Sequence, residues 1–169
     1  ILVRAMQSIW FDDFETDRGW TLETTGGWAR GLPTEGATSG TNALATYLTG
    51  SYPDNMAQTY WATSPPISAA GYAMLTMKFQ RLLGVESSYY DHAYVEVYNG
   101  TAWVRIWENP LSTIVDTAYS QQSYDVSQYG NADFRVRFGL GPTDASVTYT
   151  GWNIDDFEMW GGRYDIGLT

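Results

Sequence analysis

The tetrapeptide Asp-Asp-Phe-Glu occurs near each end of the chain, at residues 12–15 and again at residues 155–158. The first and last strands of a β-sandwich are often neighbours, and we expect the strands that carry the two copies to pair antiparallel. Phe14 and Phe157 would then enter the core, while the acidic side chains beside them would meet at the strand ends. The repeated tetrapeptide therefore predicts a group of carboxylates in one place.

The carboxylates that would meet in this way are Asp13, Glu15, Asp155 and Asp156. Such groups repel one another and resist ionising together unless a cation lies between them. Calcium is a suitable cation because it takes about six to eight oxygen ligands, from carboxylates and backbone carbonyls alike. Its binding energy would also become folding energy by joining the two ends of the chain. The pattern predicts a structural calcium site, with ordinary solvated acids as the alternative.

Few side chains could act as catalysts. The single histidine, His92, follows Asp91 directly, and adjacent strand residues point to opposite faces, so Asp91 would not orient the His92 ring. We expect Asp91 to bind loop amides or a second cation. Paired carboxylates could cleave glycosidic bonds, but no spacing singles out an acid and a nucleophile. The candidates for that role are Glu86, Glu96, Glu108 and Glu158.

A candidate binding surface comes from residues 92–108, HAYVEVYNGTAWVRIWE, which are typical of a β-hairpin with a tight primed turn at Asn99-Gly100. Alternation along both strands turns Val104 and Ile106 inward and the aromatic and charged side chains outward. The alternating segment DFRVRFGLG adds two arginines to the same surface. The predicted ligand-binding residues are Tyr94, Glu96, Tyr98, Trp103, Arg105, Trp107, Arg135 and Arg137.

Such a surface suits an oligosaccharide, because aromatic rings pack on the C–H face of a sugar while polar neighbours bind its hydroxyl groups. Arginine would also suit a sulfated or uronic-acid glycan through bidentate contacts. The alternative is that a loop covers Trp103 and Trp107 and forms a second small core. The surface therefore predicts a polysaccharide or other glycan as the partner.

The elements that must position these side chains are strands. Short alternating runs recur between turn signals, as in residues 72–84, where Leu75, Met77 and Phe79 share one face. The chain has 169 residues, enough for one domain with a sizeable core, and it contains 8 Trp, 13 Tyr, 6 Phe and 17 Gly. This composition, without any convincing helical period, predicts an all-β sandwich of two antiparallel sheets.

Charge and cysteine content exclude several classes of protein. Nineteen acidic residues against nine basic ones give a net charge of −10, which disfavours a nucleic-acid partner. The absence of cysteine excludes a disulfide framework and thiolate chemistry. No apolar run approaches the length of a membrane span.

Three segments resemble parts of bacterial jelly-roll modules. FDDFETDRGW resembles their opening, and GWNIDDFEMWG resembles their closing strand, which has the signature aromatic-x-Ile-Asp-Asp-hydrophobic-x-hydrophobic. The segment from Tyr60 to Trp103 resembles the central part of MAM-like jelly rolls, in which SPPI ends a strand and D-x-A-x-V-E-V leads into a glycine turn and a tryptophan. The resemblance covers about residues 10–160.

The resemblance implies a jelly-roll fold and a structural calcium held by the acids of the first and last strands, here Asp13, Glu15, Asp155 and Asp156. It also implies an accessory domain of a secreted, extracellular bacterial protein with neighbouring domains. We expect residues 10–161 to form the domain, residues 1–9 to be a linker or a remnant of expression, and residues 162–169 to be a tail.

The predicted function is therefore non-catalytic carbohydrate binding by a calcium-stabilised module. An adhesion or structural module attached to a secreted peptidase or hydrolase, with no small ligand of its own, is the main alternative. A small glycan-cleaving enzyme is a third.

Overall fold

The computed structural model describes residues 2–3 and 5–165, and its strands form two antiparallel sheets and one short strand pair. The seven-stranded sheet contains β2 (Gln7–Asp12), β4 (Trp28–Gly31), β5 (Ala43–Thr46), β7 (Met74–Val85), β10 (Ile114–Val115), β11 (Ser120–Asp125) and β13 (Gly151–Gly162). The five-stranded sheet contains β3 (Thr21–Leu22), β6 (Tyr60–Thr63), β8 (Ala93–Tyr98), β9 (Trp103–Glu108) and β12 (Arg135–Leu140). The separate pair is β1 (Leu2–Val3) with β14 (Tyr164–Asp165).

The strand order confirms the predicted all-β sandwich of jelly-roll type. The larger sheet runs β10-β7-β13-β5-β4, with β11 also pairing with β7 and β2 also pairing with β13. The smaller sheet runs β3-β6-β12-β8-β9. The only helical turns in the described part of the chain are two short 3-10 turns, at Thr24–Gly26 and Ser127–Tyr129. No helix long and apolar enough to cross a membrane occurs among the residues described.

The core lies between the two sheets and is built from the alternating residues of each strand. Met77 and Phe79 of β7 are buried, as the alternation predicts, and Val136 and Phe138 of β12 meet them from the other sheet. The rings of Phe79 and Phe138 pack edge to face at 4.9 Å. Alternation turns the side chains between these residues to the opposite face of each sheet.

The strands at the two Asp-Asp-Phe-Glu copies are neighbours, as predicted. β2 pairs antiparallel with β13, and Phe157 lies opposite Asp12. Phe14 and Phe157 are both fully buried. The fold thus brings the two ends of the described chain together on the seven-stranded sheet.

Two local features differ from the sequence-based expectation. The hairpin between β8 and β9 has a loop of residues 99–102 rather than a two-residue primed turn, because Asn99 Oδ1 accepts hydrogen bonds from the amides of Thr101 and Ala102. Strand β2 begins inside the segment expected to be linker, and β13 and β14 extend into the segment expected to be tail. Residues 1, 4 and 166–169 of those segments lie outside the described residues.

Candidate functional site

The outer surface of the five-stranded sheet gathers aromatic and charged side chains in three rows across the strands. Val95 and Val97 of β8 are fully buried, so the residues between them face away from the core. We refer to this surface as the aromatic face; it comprises Trp61, Tyr94, Glu96, Tyr98, Trp103, Arg105, Arg135 and Arg137.

The middle row is a charge network centred on Glu96. Arg105 of β9 lies opposite Glu96 on one side, and Arg137 of β12 lies opposite it on the other. Arg105 Nε donates to Glu96 Oε2 at 3.1 Å, while Arg137 Nε and Nη2 donate to Oε1 at 2.9 and 2.6 Å. Glu96 is only 6% exposed, and both of its oxygens are occupied by guanidinium groups. Such charge-assisted pairs fix both arginines in place.

A second row joins Trp103, Tyr98 and Arg135. The rings of Tyr98 and Trp103 are tilted at a centroid distance of 5.4 Å. Arg135 Nη2 forms an ion pair with Asp133 Oδ1 at 3.0 Å. These four residues line an open depression of about 290 Å³ at the edge of the face.

The third row contains Trp61, which the sequence did not single out. Trp61 of β6 lies opposite Gly139, and Gly139 lies opposite Tyr94. A Cβ atom at Gly139 would come within 2.6 Å of the Trp61 ring, so the absence of a side chain lets the indole lie across the strand. The rings of Trp61 and Tyr94 are nearly parallel at 6.2 Å, and His92 stacks on Tyr94 at 6.0 Å. The glycine within the alternating strand was the available sequence signal.

Guanidinium groups connect the rows through the aromatic rings. The Arg137 guanidinium lies 3.9 Å from the Trp61 ring centre and 4.2 Å from that of Trp103. The Arg105 guanidinium lies 3.6 Å from the Tyr94 ring centre. Both arginines therefore orient rings and the central carboxylate together, through cation–π contacts and hydrogen bonds.

Trp107 corrects the predicted set of outward residues. A β-bulge shifts the register, so that Trp107 lies opposite the buried Val95 while Arg105 lies opposite Glu96. Its ring packs on the core side, 5.6 Å from that of Trp152. One extra residue in a strand reverses which side chains face outward beyond it, and simple alternation had therefore placed Trp107 on the wrong side.

Three acidic residues of the two tetrapeptides, Glu15, Asp155 and Asp156, bind a single loop, residues 38–42. Asp155 is fully buried, and its Oδ2 accepts hydrogen bonds from the amides of Thr38 at 2.7 Å and Ser39 at 3.0 Å. Asp156 accepts a hydrogen bond from Ser39 Oγ at 2.5 Å. Burial raises the pKa of Asp155 to about 6, and the negative charge of Asp156 adds to the effect.

Glu15, in the first Asp-Asp-Phe-Glu copy, binds the same loop from its other end. Glu15 Oε1 accepts hydrogen bonds from the amides of Thr41 at 2.9 Å and Asn42 at 2.7 Å. Asp13 Oδ1 accepts from the amide of Glu15 within its own turn. In the structure these carboxylates accept hydrogen bonds from backbone amides and from the Ser39 hydroxyl. Within the described residues, no three of the four bring their oxygen atoms around one point.

Asp12, the first residue of the first tetrapeptide, has a structural role. It is fully buried, and its two oxygens accept hydrogen bonds from the Phe14 amide and from Trp20 Nε1, both at 2.8 Å. Burial raises the pKa of Asp12, although these hydrogen bonds oppose the shift. Trp20 in turn stacks on Phe138 at 6.2 Å. Asp12 thus anchors a tryptophan at the edge of the core.

A separate acidic group lies where loops meet at one end of the sandwich. One oxygen from each of Glu86, Asp91 and Asp144 lies within 4.8 Å of the others, so this group could hold a metal ion. Asp91 is fully buried and accepts hydrogen bonds from the amide of Asp144 at 3.0 Å and from Tyr52 Oη at 2.6 Å. The role expected for Asp91 as a ligand of loop amides is confirmed.

Burial and the mutual repulsion of its carboxylates raise the pKa of two residues in this loop group. Burial, followed by repulsion from Asp144 and Asp54, raises the pKa of Asp91. Partial burial and the charges of Asp91, Asp144 and Asp54 likewise raise the pKa of Glu86. Glu86 Oε2 has no hydrogen-bond partner among the residues described.

The fold is a two-sheet β-sandwich, and solved structures with a similar fold include carbohydrate-binding modules and an adhesin domain. No protein-family model and no curated protein matches the chain. Among solved structures, the CBM22-1 xylan-binding domain of Paenibacillus barcinonensis Xyn10C is similar, with a TM-score of 0.58, 19% identity, and coverage of 96% of this chain and 99% of that one.

Two further solved structures show the same similarity. The module TmCBM61, determined in complex with β-1,4-galactotriose, has a TM-score of 0.53 and 9% identity, covering 85% of this chain and 87% of its own. The K3 cleaved adhesin domain of Lys-gingipain from Porphyromonas gingivalis has a TM-score of 0.56 and 14% identity, covering 90% and 99%. At these identities the similarity establishes the fold, and the MAM-like part of the resemblance stays a prediction.

Proposed function

We propose that this chain is a non-catalytic carbohydrate-binding module and that its ligand lies on the aromatic face. The observation that carries the proposal is the grouping of Trp61, Tyr94, Tyr98 and Trp103 on one partly exposed sheet surface. Rings that are held by ordered neighbours present apolar area at low entropic cost, and adjacent N–H groups can bind sugar hydroxyls.

The similarity to modules whose names include xylan binding and a galactotriose complex supports this proposal at the level of the fold. We further propose that the module acts outside the cell as an accessory domain of a larger secreted chain, as the sequence resemblance implies. Its ligand would then be a polysaccharide, and its partners would be the neighbouring domains of that chain.

An enzyme is less well supported by the positions of the candidate carboxylates. Glu96 and Glu158 lie in different sheets, and both oxygens of Glu96 accept hydrogen bonds from arginines. A general acid must lie within hydrogen-bond reach of the leaving-group oxygen, and the guanidinium groups already occupy both oxygens of Glu96.

Adhesion or structural interaction is the second candidate function. The similarity to the adhesin domain of Lys-gingipain favours it, and so does the extent to which the charges of the aromatic face already satisfy one another. In that case the aromatic face would contact another domain rather than a sugar.

The first experiment is a glycan-array screen of the isolated domain, with binding constants for the hits measured by calorimetry. The wild-type domain should bind at least one polysaccharide. The Trp103→Ala variant should lose that binding while remaining folded, because the Trp103 ring lies on the outer face of the sheet and outside the buried core. A blank array from a folded domain would contradict carbohydrate binding and favour the adhesion function.

We also propose that calcium stabilises the domain at the two terminal tetrapeptides, with Asp13, Glu15, Asp155 and Asp156 as the candidate ligands. Their oxygen atoms do not surround one point in the structure, so ion binding would have to draw them together. Support comes from the convergence of Glu15, Asp155 and Asp156 on one loop and from the burial of Asp155, whose donors in the described chain are backbone amides. Phe14 and Asp156 also have left-handed backbone conformations, with φ of 59° and 46°, a strain that an added ligand could offset.

The loop group of Glu86, Asp91 and Asp144 is the alternative location for the ion. Calcium should raise the melting temperature, and chelator should lower it. If the ion lies at the terminal tetrapeptides, Asp155→Asn should abolish the response and Glu86→Gln should preserve it. The reverse pattern would place the ion at the loop group, and no response in any variant would contradict calcium binding.

A further inference from the structure

Glu96 occupies the centre of the aromatic face and uses both oxygens to hold the two arginines beside it. We propose that Glu96 makes this face selective for uncharged glycans by neutralising both guanidinium groups, so that neither is an unpaired cation for an anionic ligand. The inference rests on the proposed carbohydrate-binding function and adds the substrate class and the residue that determines it.

The charges of the face balance without any ligand. Arg105 pairs with Glu96 at 3.0 Å and approaches Glu108 at 3.9 Å. Arg137 pairs with Glu96 at 2.6 Å, and Arg135 pairs with Asp133 at 3.0 Å. Three guanidinium groups therefore face three carboxylates. A uronate or sulfate would have to displace an existing carboxylate rather than occupy a free arginine.

The two central arginines are also poorly able to turn toward a new anion. Arg137 lies against Trp61 and Trp103, and Arg105 lies against Tyr94, all within 4.2 Å of a ring centre. Moving either guanidinium group would break a cation–π contact and an ion pair with Glu96. The loss of the ion pair is costly because the Glu96 carboxylate is almost completely buried. A sugar hydroxyl, in contrast, can accept a hydrogen bond from a guanidinium N–H that already has its counter-charge.

The net charge of the whole chain also disfavours anionic glycans. The net charge of −10 repels a polyanion at long range and slows its approach. A neutral polysaccharide experiences no such repulsion. Arginine content alone suggests sulfated or uronic-acid glycans, whereas the pairing of those arginines points to neutral ones.

The test compares binding to pairs of polysaccharides that share a backbone and differ in charge: linear xylan and glucuronoxylan, galactan and sulfated galactan, and methyl-esterified and free polygalacturonate. The wild-type domain should bind the neutral member of a pair about tenfold more tightly, with little dependence on salt. Tighter binding of the charged member, weakening as salt rises, would overturn the inference while leaving carbohydrate binding intact.

The Glu96→Gln variant removes the central charge and frees both guanidinium groups. It should gain salt-dependent affinity for the charged members, about tenfold or more relative to wild type. Glu158→Gln is the matched control, because it changes the net charge equally on the outer surface of the other sheet, beside Lys78. An equal gain in both variants would show a general charge effect and overturn the role of Glu96.

Two outcomes separate this inference from the proposed function. If folded wild-type domain binds none of the six polysaccharides or the array glycans, carbohydrate binding fails and the inference fails with it. If Glu96→Gln does not fold, Asp133→Asn offers the same test at the edge of the face, where Arg135 is paired with a half-exposed carboxylate. That variant should also gain salt-dependent affinity for the charged members, and a failure to do so would overturn the inference.

Discussion

Glu96 in the five-stranded sheet and Asp155 in the seven-stranded sheet are both almost completely buried, yet they are paired in different ways. Glu96 lies between two guanidinium groups that carry full positive charge. Asp155 accepts hydrogen bonds from the amides of Thr38, Ser39 and Asp156, which carry only partial charge. Buried carboxylates without a cationic partner tend to keep their proton, and the pKa of Asp155 is accordingly raised to about 6.

The difference separates a carboxylate that is neutralised by arginines from one that is held only by backbone amides. On the aromatic face the protein supplies every charge, so the surface is ordered before any ligand arrives. Around Asp155 the protein supplies only amide donors, so the charge of the ionised carboxylate has no cationic partner among its hydrogen-bond donors. The first arrangement keeps its charges balanced at any pH at which Glu96 is ionised, whereas the second makes the stability of the fold depend on the protonation of Asp155.

The largest expected effect concerns the pH dependence of stability with calcium removed. The folded-state pKa of Asp155 is raised above its ordinary value, so its contribution to stability is full below about pH 4 and is lost as the pH rises through about 6. The free energy of unfolding in chelator should therefore fall across this range, by up to roughly 3 kcal/mol from this residue. Denaturant unfolding at a series of pH values measures it.

Asp155→Asn is needed to assign that slope, because the pKa values of Asp12, Glu86 and Asp91 are raised as well. The variant should show a shallower slope than the wild type. Calcium should flatten the wild-type slope, since the ion favours the ionised carboxylate at every pH. If the free energy of unfolding depends on pH equally in the wild type and in Asp155→Asn, with and without calcium, the assignment of the pH dependence to Asp155 is wrong.

The next effect concerns the rings that the Glu96 network holds in place. Trp61→Ala should weaken glycan binding by about thirtyfold, corresponding to roughly 2 kcal/mol for a central aromatic contact. Phe11→Ala is the matched control, because Phe11 is 38% exposed on the outer surface of the other sheet and lies opposite Glu158. Calorimetric titration with the best array ligand compares them, and equal losses in both variants would exclude the aromatic face as the binding surface.

The sequence predicted the sandwich because alternation and turn residues are local signals, and the pairing of β2 with β13 followed from the repeated acidic tetrapeptide. Trp107 was misplaced because a single bulge residue reverses the alternation, and periodicity does not report a bulge. Trp61 was missed because its place on the face depends on Gly139 in a distant strand. The loop at 38–42 carried no signal, because it contributes backbone amides rather than side chains.

The smallest effect tests whether Gly139 positions Trp61. A Cβ atom there would meet the Trp61 ring at 2.6 Å and the Thr59 methyl group at 2.7 Å, so Gly139→Ala must displace both side chains. We expect a stability loss of about 1 kcal/mol from overpacking and a severalfold loss of glycan affinity from the moved ring.

In a Trp61→Ala background the same substitution should no longer change affinity, although the contact with Thr59 should still reduce stability. Calorimetry and denaturant unfolding of the four proteins measure both quantities, and an affinity loss that persists without the indole would show that Gly139 acts on the aromatic face by another route.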